Sequence, residues 1–488
     1  MSNWIKAGMI ASGLLLGLGG CGSDAPTCTV SCEADTDCPG SQTCSALGRC
    51  SADGECPCEP GAFLACDADG VTAQLCNAAG DGPVADACGA PGCNAEAARC
   101  NECVPSAVAC SADTTQLQTC GADGLPLAPE ACAIACVAAD AIEGAHCGYL
   151  EPVFVPDACT TPAASPERIL LAGSTFDTSD DANCDGGIIM QATGPALCVV
   201  RHRVISVAGP GTVKVTGTRA LVLVADTELR VDGVLDVSAD ATRSGPGAGG
   251  SSGTQAIGRN GGGGAGGQLA GAAGGGATAG AGGAGGGAIS RLAATVLVGG
   301  ARPPGPSNTQ VFDTFPGGGG GAVMLVACRG MVSIAGDIDA GGGGGQGGRD
   351  RDLTADTNFL GGPAGGAGGY VVMAGASVVV SGRLFANGGG GGGSTAADND
   401  AGMAGADGDR STSPAPGGIA SNAGGRGGDG GARTVGATVG AGSSAGGGGG
   451  GGGSVGTFHV YTPAGVTPTL TPLEASPAIS PALTVPTR

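Results

Sequence analysis

Between residues 160 and 461 the chain alternates two textures: short segments dense in β-branched and apolar residues, and long stretches dominated by glycine. The apolar segments overlay one another. Leu221-Val222-Leu223-Val224-Ala225 leads to Leu229-Arg230-Val231-Asp232-Gly233-Val234-Leu235-Asp236. Val323-Met324-Leu325-Val326-Ala327 leads likewise to Met331-Val332-Ser333-Ile334-Ala335-Gly336-Asp337-Ile338-Asp339. Val371-Val372-Met373-Ala374 leads to Val378-Val379-Val380-Ser381-Gly382-Arg383-Leu384-Phe385. A partial copy stands at Val213-Lys214-Val215-Thr216-Gly217, and Thr457-Phe458-His459-Val460-Tyr461 closes the series. Each copy is an apolar run, a turn, an alternating strand, a glycine and one more short strand. The period of two predicts β-strands, and a unit of this size buries its apolar face only against further copies of itself. Strands that return in one orientation after long excursions predict a parallel stack, with Gly217, Gly233, Gly336 and Gly382 at the corners. The expected class is therefore mainly β: a right-handed parallel β-helix (solenoid) over 160–461. A β-sandwich is the alternative, since eight strands with long loops alternate in the same way.

The glycine stretches run over 238–320, 341–369 and 388–454, with six consecutive glycines from Gly388 and eight from Gly446. Glycine loses the most backbone freedom on ordering and has no side chain to bury, which predicts disorder for an isolated stretch. Polyproline II helices lying side by side are the other expectation, because the missing Cβ lets backbones approach. Gly271, Gly274, Gly280, Gly283 and Gly286 keep a triplet register interrupted at Ala277. After Tyr461, prolines at 463, 468, 472, 477, 481 and 486 predict an extended, exposed and disordered tail over 462–488.

Residues 28–147 carry a different signal. Cys58, Cys66, Cys76, Cys88, Cys93 and Cys100 are followed by Cys103, Cys110, Cys120, Cys132, Cys136 and Cys147, with matching intervals at the second and third gaps. That is a tandem duplication over 58–159, preceded by a different six-cysteine module within 21–57. Cysteine at this density predicts disulfides in an oxidising compartment, with connectivity left open. Such units are too small for an adequate core, and crosslinks substitute for it. Asp177, Asp180, Asp181 and Asp185 cluster around Cys184, which pairs with Cys198 as a further expected crosslink. Those carboxylates face water in the favoured reading and hold Ca2+ in the competing one. The turn Asp67-Ala68-Asp69-Gly70 lacks the remaining ligand positions of a calcium loop. No other cofactor is expected.

Composition narrows the function. Formal net charge is -21, and lysine occurs only at Lys6 and Lys214, which argues against nucleic-acid binding and excludes a Walker A lysine beyond the leader. Matches such as Gly442-Ser443-Ser444-Ala445-Gly446 to a nucleophile elbow are what half-glycine sequence produces by chance. Asp236 and Asp339 overlay at the ends of their copies, with Asn387 nearby, and read as corner residues; no catalytic residue is assigned.

At the N-terminus, Lys6 precedes an apolar run from Ala7 to Gly17 that ends in Leu18-Gly19-Gly20-Cys21. The run is too short to span a bilayer and reads as a secretion signal over 1–20. Leu18–Cys21 resembles the lipobox of bacterial lipoproteins. The resemblance implies cleavage before Cys21, lipidation of Cys21 and membrane attachment through the acyl chains. Together with the cysteine repeats and the V-x-V-x-G-x-L-x-A strands followed by poly-glycine, nearly all of the chain resembles the glycine-rich surface lipoproteins of GC-rich myxobacterial genomes. That resemblance implies a cell-envelope location, outer membrane and surface-exposed, and no catalytic residue. The expected role is structural or adhesive contact with extracellular polysaccharide or other surface proteins. A parallel β-helix enzyme or binding protein acting on polysaccharide is the alternative; it needs converging carboxylates in a cleft, and none cluster along the strands in sequence.

Overall fold

A computed structural model describes residues 28, 30–80, 82–140, 143–163, 165–254, 258–277, 280–291, 294–304, 315–349, 361–396 and 400–488. The signal segment 1–20 and Cys21 lie outside the described residues. Among the described residues the regular secondary structure is almost all β, with three short 3₁₀ turns and no α-helix. The described residues divide into two compact units, one of those up to residue 109 together with 117–130, the other of those in 110–116 and 131–488.

The first unit is built of short antiparallel hairpins held by crosslinks. Cys28–Cys56, Cys32–Cys44 and Cys38–Cys50 close the leading module. Cys58–Cys76, Cys66–Cys93 and Cys88–Cys100 close the first repeat. The second repeat has the same connectivity, Cys103–Cys120, Cys110–Cys136 and Cys132–Cys147, with the last two pairs inside the second unit. Asp67–Gly70 is a turn in which the Asp69 carboxylate accepts from the Val71 and Thr72 amides, and Gly70 sits at φ +71°.

The two large sheets of the second unit are built from β1 (Glu167–Leu170), β2 (Thr175–Asp177), β3 (Gly187–Ile189), β4 (Leu197–Val207), β5 (Thr212–Thr216), β6 (Ala220–Val231), β7 (Val234–Asp236) and β8 (Ala322–Ile334). They continue as β9 (Asp337–Asp339), β10 (Tyr370–Val380), β11 (Arg383–Phe385), β12 (Thr457–Thr462), β13 (Thr469–Leu470), β14 (Glu474–Ser476) and β15 (Leu483–Thr484). A nine-stranded sheet has the order β1-β4-β6-β8-β10-β12-β15, with β3 and β13 at its margins. A six-stranded sheet has the order β2-β5-β7-β9-β11-β14. Every pairing in both sheets is parallel except β3 with β4.

The register matches the sequence overlay. Leu221 pairs with Val323, Val323 with Val371 and Val371 with Phe458; Leu235 pairs with Ile338 and Ile338 with Leu384. Leu223, Leu325 and Met373 from the large sheet meet Val213, Leu235, Ile338 and Leu384 from the small one in a single core. Truncating a side chain such as Leu223, fully buried there, costs about 2–5 kcal/mol. The first halves of the long strands are covered on both faces, which is why Leu221–Ala225 and Val323–Ala327 read as unbroken apolar runs. Past a bulge after Ala225, one face opens and Leu229-Arg230-Val231 alternates. At the corner, Gly336 lies so close to the preceding copy that a Cβ would strike the Gly233 carbonyl, and Gly382 stands in the same relation to Gly336.

The described parts of the glycine stretches are ordered. Gly388, Gly389 and Gly390 donate to the carbonyls of Gly431, Gly366 and Ala406, and three residues later Gly391, Gly392 and Gly393 donate to Gly428, Pro363 and Met403. Gly362, Gly365 and Gly368 donate to Gly448, Gly451 and Ser454 at 2.8, 3.0 and 2.9 Å. Each stretch thus bonds three neighbours in rotation, with a repeat of three residues. The disorder expected of an isolated stretch is overridden because the segments satisfy one another's backbone groups at distances that only glycine permits. At Gly391 a Cβ would meet the Gly450 carbonyl.

Two boundaries differ from expectation. The proline-rich tail 462–488 is not free: β13, β14 and β15 extend the sheets, Ser476 is fully buried, and Arg488 exchanges two backbone hydrogen bonds of 2.9 Å with Tyr149. Its prolines sit between strands too short to be disrupted by them. Residues 148–159, assigned by sequence to the cysteine repeats, belong to the second unit. Tyr149, Leu150, Phe154, Val155 and Cys159 form a strap across the outer face of the large sheet, covering Val222, Val224, Met324 and Val372.

Candidate functional site

Along the short strands, Lys214, Asp236 and Asp339 follow one another in register, Lys214 beside Asp236 on β5 and β7, Asp236 beside Asp339 on β7 and β9. Their neighbours Val213, Val215, Leu235, Val237, Ile338 and Ala340 point into the core, so alternation turns these three outward. Glycine-rich chain folds back over them and encloses a cleft of about 640 Å3, whose walls include Ser238, Asp240, Asp407 and Arg410. A second cleft of about 490 Å3 shares Lys214, Ser238 and Asp240 and adds Arg243 and Arg302.

The charges are individually held. Lys214 Nζ donates to Asp236 Oδ1 at 3.0 Å and to the Ser238 carbonyl and hydroxyl at 3.0 and 3.1 Å. Asp236 Oδ1 also accepts from the Ser238 amide at 2.9 Å. Asp339 Oδ1 accepts from the Gly341 amide at 3.0 Å, the same two-residue turn as at Asp236. Asp407 Oδ1 accepts from the Gly344 amide at 2.7 Å. Asp339 is only 8 % exposed, and burial together with the charge of Asp236 pushes its pKa up to about 7. Burial raises the Asp407 carboxyl as well, against the pull of the Gly344 amide. A buried carboxyl whose pKa lies near neutrality, beside a second carboxylate, can give up or take a proton.

Asp236 and Asp339, read in the sequence as turn residues, make those turns and also line this cleft. Asn387 does not: it is fully buried, donating to the Asp409 and Ser411 carbonyls at 2.9 and 2.7 Å. The carboxylates, dispersed along the chain, do converge. Asp240, Asp407 and Arg410 arrive on glycine-rich segments, whose path over the sheet has no signature in local sequence. The overlay of Asp236 on Asp339 was the one available signal.

Cys184 and Cys198 are bonded to each other. Around them, Asp181 pairs with Arg219 at 2.7 Å, Asp185 bonds His202 Nε2 at 2.7 Å, and Asp180 accepts from the Ala182 amide, each facing a different partner. Among the described residues the cysteines close enough to share a metal ion are Cys32, Cys38 and Cys44, whose sulfurs are spent in crosslinks. The pair that local reasoning missed is Cys159–Cys328, 169 residues apart. Parity held the only clue, since these two remain when the three six-cysteine sets and Cys184–Cys198 are assigned. No protein-family model, curated protein or solved structure matches the chain.

Proposed function

We propose that this is a cell-envelope lipoprotein, anchored through acyl chains on Cys21 and carrying on its disulfide-rich segments a right-handed parallel β-helix clothed in polyproline II helices. Its role is passive contact with extracellular polysaccharide or with other surface proteins. The lipobox-like Leu18–Cys21 supports the anchor. The in-register columns of equivalent residues support the β-helix, since one coil after another places the same position in the same column. The observation that carries the functional reading is the three-residue rotation of backbone hydrogen bonds through the glycine stretches. Three residues per turn is the polyproline II period, and so interlocked a layer presents a fixed surface rather than mobile loops.

Two measurements test this. Cells fed labelled palmitate incorporate it into the wild-type chain and not into Cys21→Ala, which moves to the soluble fraction; equal labelling of both removes the anchor. The lipid-free chain is retained on isolated extracellular polysaccharide or on envelope protein, and passage through both removes the contact role.

A second reading, a polysaccharide-cleaving enzyme, is favoured by the adjacent Asp236 and Asp339 in their cleft. It requires release of new sugar ends from such a polysaccharide, abolished by Asp339→Asn and Asp236→Asn. Binding that survives both substitutions without any release supports the passive role.

A further inference from the structure

The strap meets the large sheet at an unusual place. Its last residue, Cys159, is bonded to Cys328, which lies on β8, and both are 1 % exposed. In the sheet order β1-β4-β6-β8-β10-β12-β15, β8 is the middle strand. Along the backbone, however, the chain leaves Cys159 towards β1, the outermost strand on that side. Tension arriving from the N-terminal segments therefore has two covalent routes. The backbone route pulls on the margin of a parallel sheet, where strands peel away in succession. The disulfide route delivers the same tension to the centre, where β6 and β10 flank β8 along most of its length. The crosslink route is the shorter one, and it is taut first.

We propose that Cys159–Cys328 is a tension bypass: it carries pull from the tether straight into β8 and leaves residues 160–327, with β1 to β7 and the first glycine stretch, unstressed. Two further contacts set the strap for this. Leu150 donates its amide to the Cys328 carbonyl at 2.9 Å, and Tyr149 is paired with the chain end at Arg488. The strap is thus fastened at the same strand before its crosslink and again at the C-terminus. Use of the device in the cell rests on the lipid anchor and surface contact proposed above, whereas the mechanical claim stands or falls on the purified chain.

The experiment is single-molecule pulling between an N-terminal tag and a handle at Gly436→Cys, a position in the glycine layer where an added Cβ meets nothing within 4 Å. With the crosslink intact, residues 160–327 never enter the extension. In Cys159→Ser/Cys328→Ser, unfolding begins at lower force, proceeds in successive small steps from β1, and ends roughly 550 Å longer at ~3.6 Å per residue, the Cys184–Cys198 loop remaining closed. A double variant that opens at the same force and by the same first step as the wild type overturns the proposal. Should the variant not fold, the wild type is held at constant force with dithiothreitol. One thiolate of the reagent attacks a sulfur of the bridge, forming a mixed disulfide and releasing the other cysteine as a thiol; the reagent's second thiolate then attacks its own bonded sulfur, releasing the first cysteine and leaving the reagent as a cyclic disulfide. The expected result is a step of the same length whose rate rises with force; unfolding of the sheet before any such step refutes the bypass. Failure of palmitate labelling at Cys21 would leave these outcomes unchanged, so the two readings fail separately.

Discussion

Asp339→Asn is the perturbation that most sharply tests the electrostatics of the cleft. Asp339 is held at about 7 by burial and by the neighbouring Asp236, against 3.8 for a free aspartate. As pH rises through 4 the unfolded chain releases this proton while the native protein keeps it, so the unfolded state is progressively favoured until the native carboxyl also ionises near 7. Stability from this group is full below pH 4 and is lost across pH 4–7. Three pKa units correspond to on the order of 4 kcal/mol. The asparagine variant keeps an oxygen to accept the Gly341 amide and carries no charge at any pH. It should melt with the wild type at pH 4 and several degrees above it at pH 8, measured by calorimetry across that range. Equal displacement of the two melting curves at pH 4 and pH 8, in either direction, would refute the assignment of a raised Asp339 pKa. Asp236→Asn should shift the wild-type dependence to lower pH, because the adjacent like charge is gone.

Gly391→Ala drives a Cβ into the Gly450 carbonyl and should cost about 1–3 kcal/mol or more, whereas Gly436→Ala, in open space, should be neutral; chemical denaturation of the pair compares them directly. Arg201→Met leaves Asp226, 5 % exposed and ion-paired to Arg201, with the Ala163 amide but no balancing cation and should cost about 3–5 kcal/mol, partly recovered in the double variant with Asp226→Asn. Ending the chain at Pro481 removes β15, the buried Val485 and the Arg488–Tyr149 pairing, so the melting temperature should fall and limited proteolysis should cut within 148–159.

The strand copies were legible because burial imposes a period of two that survives in the residues themselves: Leu221, Val323 and Val371 overlay in the sequence and pair in the sheet. The corners were legible for a similar reason, since Gly336 and Gly382 occupy places where any side chain would strike a carbonyl of the neighbouring copy. The fate of the glycine stretches was not, because a segment without side chains has no pattern to mark its partners. Nothing local singles out the carbonyl that Gly388 meets, and its bond to Gly431 exists only once the sheets have brought both into range. The tail misled for the opposite reason: proline marks where a strand cannot continue, and says nothing of strands of two or three residues lying between prolines.

What the amino-acid sequence determined alone was local: where strands run, which way their apolar faces turn, which cysteines fall into repeats, and that the N-terminus carries a lipobox-like motif. These depend on propensities and periodicities acting within a few residues. The tertiary structure alone decided which carboxylates share a cleft, which strand receives the strap through Cys159–Cys328, and whether glycine-rich chain is ordered. Each of those depends on groups far apart in the chain being held within a few ångströms, and proximity over such separations comes from the summed burial of the core, not from any short stretch of chain.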